Sequence, residues 1–262
     1  MDLGLKGRCV LVSGASSGIG LAAAQLFVEE GARVAICARG VERLEAARRQ
    51  LDPDGSRGVL ALAADLSQAA AARALQQQVQ SQIGPVDVLV NNVGGPPPGN
   101  TGSVDDAGWA RAVELTLMSA VRMARVVLPG MRAQRWGRIV NVSSTSVKQP
   151  IDNLLLSNSI RMAVLGWAKT LANEVAQDNV LVNTVCPGWT RTPRVQQVLD
   201  ASARQGAADG MSAQESVARG VPLKRMAEPR EIADVIVFLA SARASYVSGA
   251  AVSVDGGMVQ GY

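Results

Sequence analysis

The sequence predicts an α/β protein, a doubly wound parallel sheet with helices on both faces, in one domain spanning 1–262. Three observations predict it. Seven short runs rich in Val, Ile, Leu and Cys recur along the chain. They are continuously apolar instead of alternating, as strands buried on both faces require. Ala/Leu/Arg/Glu-rich segments separate them, and such alternation implies right-handed βαβ units. The first run passes directly into a glycine-rich turn and a helix.

The expected strands, in order, are 8–14, 32–39, 57–65, 86–92, 137–144, 180–187 and 250–257. "GLAAAQLFVEEG" (20–31) and "VERLEAARRQL" (41–51) read as the first two helices. Gly31 stands where a helix C-terminus needs a left-handed residue. "LLLSNSIRMAVLGWAKTL" (154–171) reads as an apolar-periodic helix, with Leu155, Met162, Leu165, Ala168 and Leu171 on one face and Trp167 and Trp109 packed nearby. That face is expected to meet the core or another subunit. Two irregular stretches interrupt the pattern: "GGPPPGNTGS" (94–103), stiffened by its prolines, and a polar segment at about 190–220 with Gly206, Gly210 and Gly220.

Apolar content of 48% against 18% charged residues places the chain among compact globular proteins. The net charge of +4 comes mostly from arginine, for the only lysines are Lys6, Lys148, Lys169 and Lys224. The basic residues are scattered, which argues against a nucleic-acid face and fits a pocket for an anionic cofactor equally well. Cys9, Cys37 and Cys186 each sit in an apolar run, and the chain has no histidine, so zinc-ligand sets are absent and no metal is expected. Nothing at the N-terminus reads as a cleaved leader, and no uncharged apolar stretch reaches about 18 residues. A reduced, cytoplasmic protein that does not engage a membrane is expected.

The first strand ends in Ser13-Gly14-Ala15-Ser16-Ser17-Gly18-Ile19-Gly20. Gly14 permits a tight turn, Gly18 lets backbone approach a pyrophosphate, and Gly20 lets the helix pack close to the strand. The helix N-terminus then offers free N–H groups to phosphates. Where an acid at the end of the second strand would favour NAD, this strand ends Cys37-Ala38-Arg39. A guanidinium suits a 2′-phosphate, so NADP(H) is expected over NAD(H), unless Arg39 is only a solvated helix-start residue.

The spacing Gly14-x3-Gly18-x-Gly20, with Asn91-Asn92-Val93-Gly94 after the fourth strand, resembles the short-chain dehydrogenase/reductase superfamily. "GRIVNVSS", "NVLVNTVCPGWTRT", "VPLKRMAEPREIADVIVFLAS" and "SGAAVSVDGG" extend the resemblance over nearly the whole chain, nearest to the 3-oxoacyl-acyl-carrier-protein reductase-like group. It implies a three-layer Rossmann fold with a seven-stranded sheet, and a homotetramer or homodimer built on long helices near 109–133 and 156–177. It implies that Gly14, Ser16, Ser17, Gly18 and Ile19 hold the pyrophosphate and Arg39 the ribose phosphate. Asp65 and Leu66 would flank the adenine, and Asn91 and Gly94 would line the groove. Pro187, Gly188, Thr190 and Thr192 would meet the nicotinamide. Asn91 has a plainer reading too, a strand-end side chain tying backbone. The 190–220 segment resembles the family's substrate lid, against a surface insertion.

The family's chemistry uses Asn, Ser, Tyr and Lys, and here only the serine is kept, as Ser144. Aligning "GWAKTLANE" puts Ser157 at the tyrosine position and Arg161 at the lysine position; aligning Trp109 puts Thr116 at the asparagine position. The Ser144-to-Ser157 separation equals the family's usual Ser-to-Tyr spacing in shorter members. The tyrosines present are Tyr246 and Tyr262. Serine is a far weaker acid than a phenol, whose pKa is about 10, and arginine does not donate its proton near neutrality. Arg161 can still hold ribose hydroxyls. Ser157 opens room for substrate, and Asn158 offers a hydrogen bond. Lys148, on the loop after Ser144, is either a substitute proton donor, if desolvated, or a solvated loop lysine. The expected activity is NADP(H)-dependent interconversion of a small-molecule carbonyl and alcohol. A non-redox enzyme, or a nucleotide-sensing or inactive subunit, stands as the alternative.

Overall fold

All seven apolar runs form strands, and every pairing between them is parallel. The computed structural model describes residues 1–203 and 213–261. The strands are β1 (Cys9–Ser13), β2 (Arg33–Ala38), β3 (Leu60–Ala63), β4 (Val88–Asn91), β5 (Gly137–Val142), β6 (Val180–Pro187) and β7 (Ala251–Val254), in sheet order β3-β2-β1-β4-β5-β6-β7. The helices are α1 (Gly18–Glu29), α2 (Val41–Leu51), α3 (Ala71–Ile83), α4 (Asp106–Ala112), α5 (Ser119–Ala133), α6 (Leu155–Val175), α7 (Pro193–Ala203), α8 (Ala213–Gly220) and α9 (Pro229–Ala240).

Strand β1 shows why the runs are continuous. Its side chains alternate across the sheet. Val10 and Val12 join Phe27, Ile36 and Ile236 on the face covered by α1, α2 and α9. Cys9 and Leu11 join Leu75, Met123 and Leu171 on the face covered by α3, α5 and α6. Every residue of β1 is buried, and its one polar residue, Ser13 at the carboxyl end, donates its hydroxyl to the Val90 carbonyl at 3.1 Å. Cys9, Cys37 and Cys186 are all free and buried, and burial pushes their thiols up to about 12, 12 and 11. Gly31 takes the expected left-handed conformation, at φ +75°.

The long helix expected near 109–133 starts earlier and is not uniform. Asp105 caps α4, its carboxylate accepting from the Gly108 N–H at 2.7 Å. A π-helical turn at Val113–Met118 then separates α4 from α5. The buried face of α6 is also rotated from the expected one. Leu156, Ile160, Val164, Ala168, Leu171 and Val175 are buried, whereas Met162 is 48% exposed. Trp109 packs with Leu156 and Ile160, and Trp167 packs on the α3/α5 side. Within 190–220, α7 and α8 are helical; Gly206 and Gly210 lie outside the described residues, as does Tyr262. No helix among the described residues is long and apolar enough to cross a membrane.

Candidate active site

The order β2-β1-β4 places a crevice beyond the carboxyl ends of β1 and β4, where the winding direction reverses. Gly14 and Gly18 have φ of +61° and +58°, so side chains there would be strained. A Cβ on Gly14 would lie 2.0 Å from the Asn92 carbonyl oxygen, and one on Gly20 would lie 2.5 Å from both Asn92 Nδ2 and the Gly14 oxygen. The turn therefore needs both glycines. Asn92 stitches the two strand ends together: its amide donates to the Gly14 oxygen at 3.1 Å, and its own N–H donates to Ser13 Oγ at 2.9 Å. Ser17, the N-cap of α1, makes no side-chain cap hydrogen bond. The first N–H groups of α1 thus face the cleft without a capping side chain, as phosphate binding at a helix N-terminus requires.

Toward the adenosine end, Arg39 is exposed at the end of β2, and Arg43 lies beside Gly40. Asp65 is partly buried. Burial pushes its carboxyl up, but hydrogen bonds from Ser67 and the Arg39 charge outweigh that, so the net shift is downward. Leu66 is 6% exposed, its side chain in the α3-side core.

One cleft of about 250 Å³ joins the glycine turn to the carboxyl ends of β5 and β6. Gly14, Ser17, Gly18, Ile19 and Gly94 line it, as do Ser144, Ser157, Arg161, Pro187, Gly188, Thr190 and Thr192. Ser16, Arg39, Asp65, Leu66 and Lys148 lie off that lining. Asn91 does not line this cleft. It is the last residue of β4, buried, and donates to Asn141 Oδ1 at 2.9 Å. Its neighbour Asn92 faces the cleft in its place.

Ser144 leaves β5 and caps a short 3-10 turn, Thr145–Val147. Its Oγ accepts from the Ser146 N–H at 3.1 Å, which leaves the hydroxyl proton free to donate. Ser157 is 9% exposed on α6 and makes no hydrogen bond to a described residue. Arg161 Nη1 donates to the carbonyls of Val142 and Ser143, each at 3.0 Å. Burial pulls its guanidinium down to about 10, and the charge of Arg194 pulls the same way. It remains cationic at neutral pH.

Two expected contributors are placed elsewhere. Lys148 is exposed at the end of the 3-10 turn, so it lacks the desolvation a lysine acid needs. Asn158 spends its amide on the Ile151 backbone, donating at 2.9 Å and accepting at 3.3 Å, and so fixes the loop that puts Ile151 on the cleft wall. Tyr246 is fully exposed and off the cleft.

Beneath Arg161 lies a second cavity of about 10 Å³ lined by Asn91, Thr116, Asn141 and Ser143 among others. Thr116 Oγ1, Asn141 Nδ2 and Ser143 Oγ are buried there without a hydrogen-bond partner among the described residues. A polar cavity of that size holds one water. The π-helical turn is what aims Thr116 into it; such turns recur at functional sites.

The roof comes from the two irregular stretches. Gly94 and Gly95 line the cleft, and the bridge Gly99 to Leu154 ties their loop to the start of α6. The bridge Thr190 to Ala227 fixes the start of the second stretch, and α7 then brings Pro193, Arg194, Val195 and Val198 over the cleft. Trp189, Ile151 and Leu154 complete an apolar wall. Sequence reasoning missed Arg194 and Trp189, although "PGWTRTPR" carries both beside the expected nicotinamide contacts.

Comparison with known proteins finds chains similar to this one over nearly its whole length. The sequence model of the enoyl-(acyl carrier protein) reductase family matches residues 14–259. The 3-oxoacyl-[acyl-carrier-protein] reductase of Vibrio harveyi is 35% identical over 258 residues, covering 98% of this chain and 99% of that one. L-sorbose reductase from Gluconobacter frateurii, solved with NADPH and L-sorbose, is 38% identical with a TM-score of 0.93, and both chains are fully covered. An NADPH-bound short-chain oxidoreductase from Pseudomonas aeruginosa PAO1 with an atypical catalytic centre is 30% identical with a TM-score of 0.88, over 97% of this chain and 98% of that one.

Proposed function

The chain belongs to the short-chain dehydrogenase/reductase superfamily, in its 3-oxoacyl-acyl-carrier-protein reductase-like branch, and from that premise we propose that it is an NADP(H)-dependent oxidoreductase interconverting a carbonyl and an alcohol without the family's tyrosine. The observation that carries this reading is the single cleft that joins the glycine turn to Ser144. The strained glycines and the uncapped start of α1 fit a pyrophosphate, and Arg39 with Arg43 fits a 2′-phosphate. NADPH in the structures of the sorbose reductase and the Pseudomonas oxidoreductase supports the same cofactor.

When bound, the cofactor supplies the hydride for the carbonyl carbon. Ser144 donates its hydroxyl to the carbonyl oxygen and so stabilises the charge that develops there. Arg161, anchored on two carbonyls of the β5 end, holds ribose hydroxyls with its remaining donors. Ser157 leaves space where a phenol would stand. The proton reaches the alkoxide through cleft hydroxyls, with solvent as its source. The α7–α8 segment acts as the substrate lid, and the active protein is a homotetramer or homodimer in the reducing cytoplasm.

One observation favours a second reading. Among the described residues, the titratable side chains that line the cleft are the two guanidiniums of Arg161 and Arg194, with no phenol, imidazole or carboxylic acid beside them. A nucleotide-binding subunit without turnover would look the same. The test is NADPH oxidation over a panel of small ketones, 3-oxo thioesters and 2-ketoses. The proposal expects turnover, with Ser144→Ala reducing kcat by about 10²–10³ while NADPH affinity holds. NADPH binding with no oxidation on any carbonyl would favour the subunit reading.

A further inference from the structure

We propose that the substrate carries an oxyanion group, a carboxylate or a phosphate monoester, seated on Arg194 in the space above Gly95. This rests on the oxidoreductase reading above and names its substrate class. Arg194 is the second residue of α7, and its Nη2 donates to the Pro96 carbonyl at 2.5 Å. That bond fixes the guanidinium beyond the glycine turn, on the 94–103 loop. Its Nε and Nη1 have no partner among the described residues. Arg161 approaches the same space from α6: a methyl group on Gly95 would lie 3.4 Å from Arg194 Nη2, 3.5 Å from Arg194 Nε and 3.5 Å from Arg161 Nη2.

Two guanidiniums so close repel one another, and among the described residues no Asp or Glu lines their cleft and neither arginine has an ion pair. Several other arginines do have an acid, as Arg8 meets Asp87, Arg122 meets Glu114, Arg225 meets Glu231 and Arg230 meets Glu29, whereas the buried Arg138 is held by the carbonyls of Gly137, Asn179 and Ser241. Burial lowers the pKa of both cleft arginines, Arg194 through burial alone. A partly buried cation pair without an acid is costly unless an anion completes it. The cofactor phosphates belong at the start of α1, whereas the Arg194 guanidinium lies against Gly95 and Pro96, in a cleft that Ile151, Leu154, Trp189 and Val198 also line. An oxyanion with a short organic body satisfies both parts of that space.

The test is calorimetric, so it reads binding without turnover. Acetoacetate and acetoacetamide form one matched pair, dihydroxyacetone phosphate and dihydroxyacetone the other. Each is titrated into the full chain with and without NADP⁺, as wild type, Arg194→Gln and Arg194→Lys. The wild type should bind one charged probe at least about tenfold more tightly than its neutral partner. The pair that shows the preference separates carboxylate from phosphate. Arg194→Gln should reduce the preference to within about twofold, Arg194→Lys should keep part of it, and unchanged melting curves would show that both variants fold. Equal binding of charged and neutral probes, or no binding of either charged probe, would overturn the proposal. So would a preference untouched in Arg194→Gln while NADPH affinity falls, which would assign Arg194 to the cofactor phosphates. Anion binding with no hydride transfer to any carbonyl would instead sink the oxidoreductase reading alone.

Discussion

Replacing Arg39 with Ser tests cofactor choice directly. Arg39 is exposed and has no ion pair among the described residues, so its loss leaves no buried group unpaired and should not disturb folding. A hydrogen bond to a charged group contributes about 1.5–3 kcal/mol, and solvent exposure places this one at the lower end. About 1.4 kcal/mol is tenfold in affinity, so the NADPH Kd should rise about tenfold. The NADH Kd should stay within about twofold, because NADH has no 2′-phosphate. Arg43, beside Gly40, supplies part of the remaining attraction, so Arg39→Ser/Arg43→Ser should lose a further several-fold. The assay is fluorescence titration of each nucleotide, using energy transfer from tryptophan. Raising the salt should weaken wild-type NADPH binding more than that of the double variant. Equal losses for NADPH and NADH, or none for either, would refute the assignment of Arg39.

Three further outcomes are expected. Gly20→Ala places a Cβ 2.5 Å from Asn92 Nδ2 and the Gly14 oxygen; overpacking of this kind costs about 1–3 kcal/mol, so the melting temperature should fall by about 3–10 °C and NADPH binding should be lost, and wild-type values in both would show the turn to be looser than described. Wild-type kcat should be flat from about pH 6 to 9, since Arg161 titrates near 10. Ser157→Tyr with Arg161→Lys should add a decline in kcat as pH rises through the new phenol's pKa, and an unchanged profile would count against placing Ser157 at the tyrosine position. Hydrogen bonds from Arg225 and from the Glu228 N–H hold the Glu231 carboxyl at about 2, below its ordinary 4.5. A folded-state pKa below the unfolded one stabilises above about 4.5 and is lost as pH falls toward 2. The melting temperatures of wild type and Glu231→Gln should therefore differ at pH 6 and converge near pH 2, and a constant gap would contradict the assignment.

The sheet was legible because strands buried on both faces are continuously apolar, as the interior residues of β1 and β4 are; where β6 breaks the rule, the Asn183 amide donates to the Val247 carbonyl at 2.8 Å and its Oδ1 accepts from the Ala250 N–H at 3.1 Å. The glycine turn was legible for a similar reason, since Gly14 and Gly20 leave no room for a Cβ. What the sequence hid was side-chain direction. Asn91 and Asn92 are adjacent and chemically identical, but Asn91 ends the strand and points to Asn141, whereas Asn92 follows it and meets the turn. The helix start "LLLSNSI" is apolar at too many positions to set its phase. The exposed Met162 follows from a rotation that only packing against Trp109 and Ala112 decides. Arg194 was hidden because the path of its loop depends on a bridge between Thr190 and the distant Ala227. Lys148 had the right position along the chain, but its exposure depends on the 3-10 turn before it.

The central claim is hydride transfer in a cleft without a tyrosine. The most direct measurement incubates the protein with NADPH deuterated at the transferring carbon and a carbonyl panel that includes the charged probes above, followed by mass spectrometry of the alcohols. The account predicts an alcohol carrying one deuterium on the carbinol carbon, formed on a single face, and greatly diminished in Ser144→Ala. Tight NADPH binding with no deuterium in any product would contradict it.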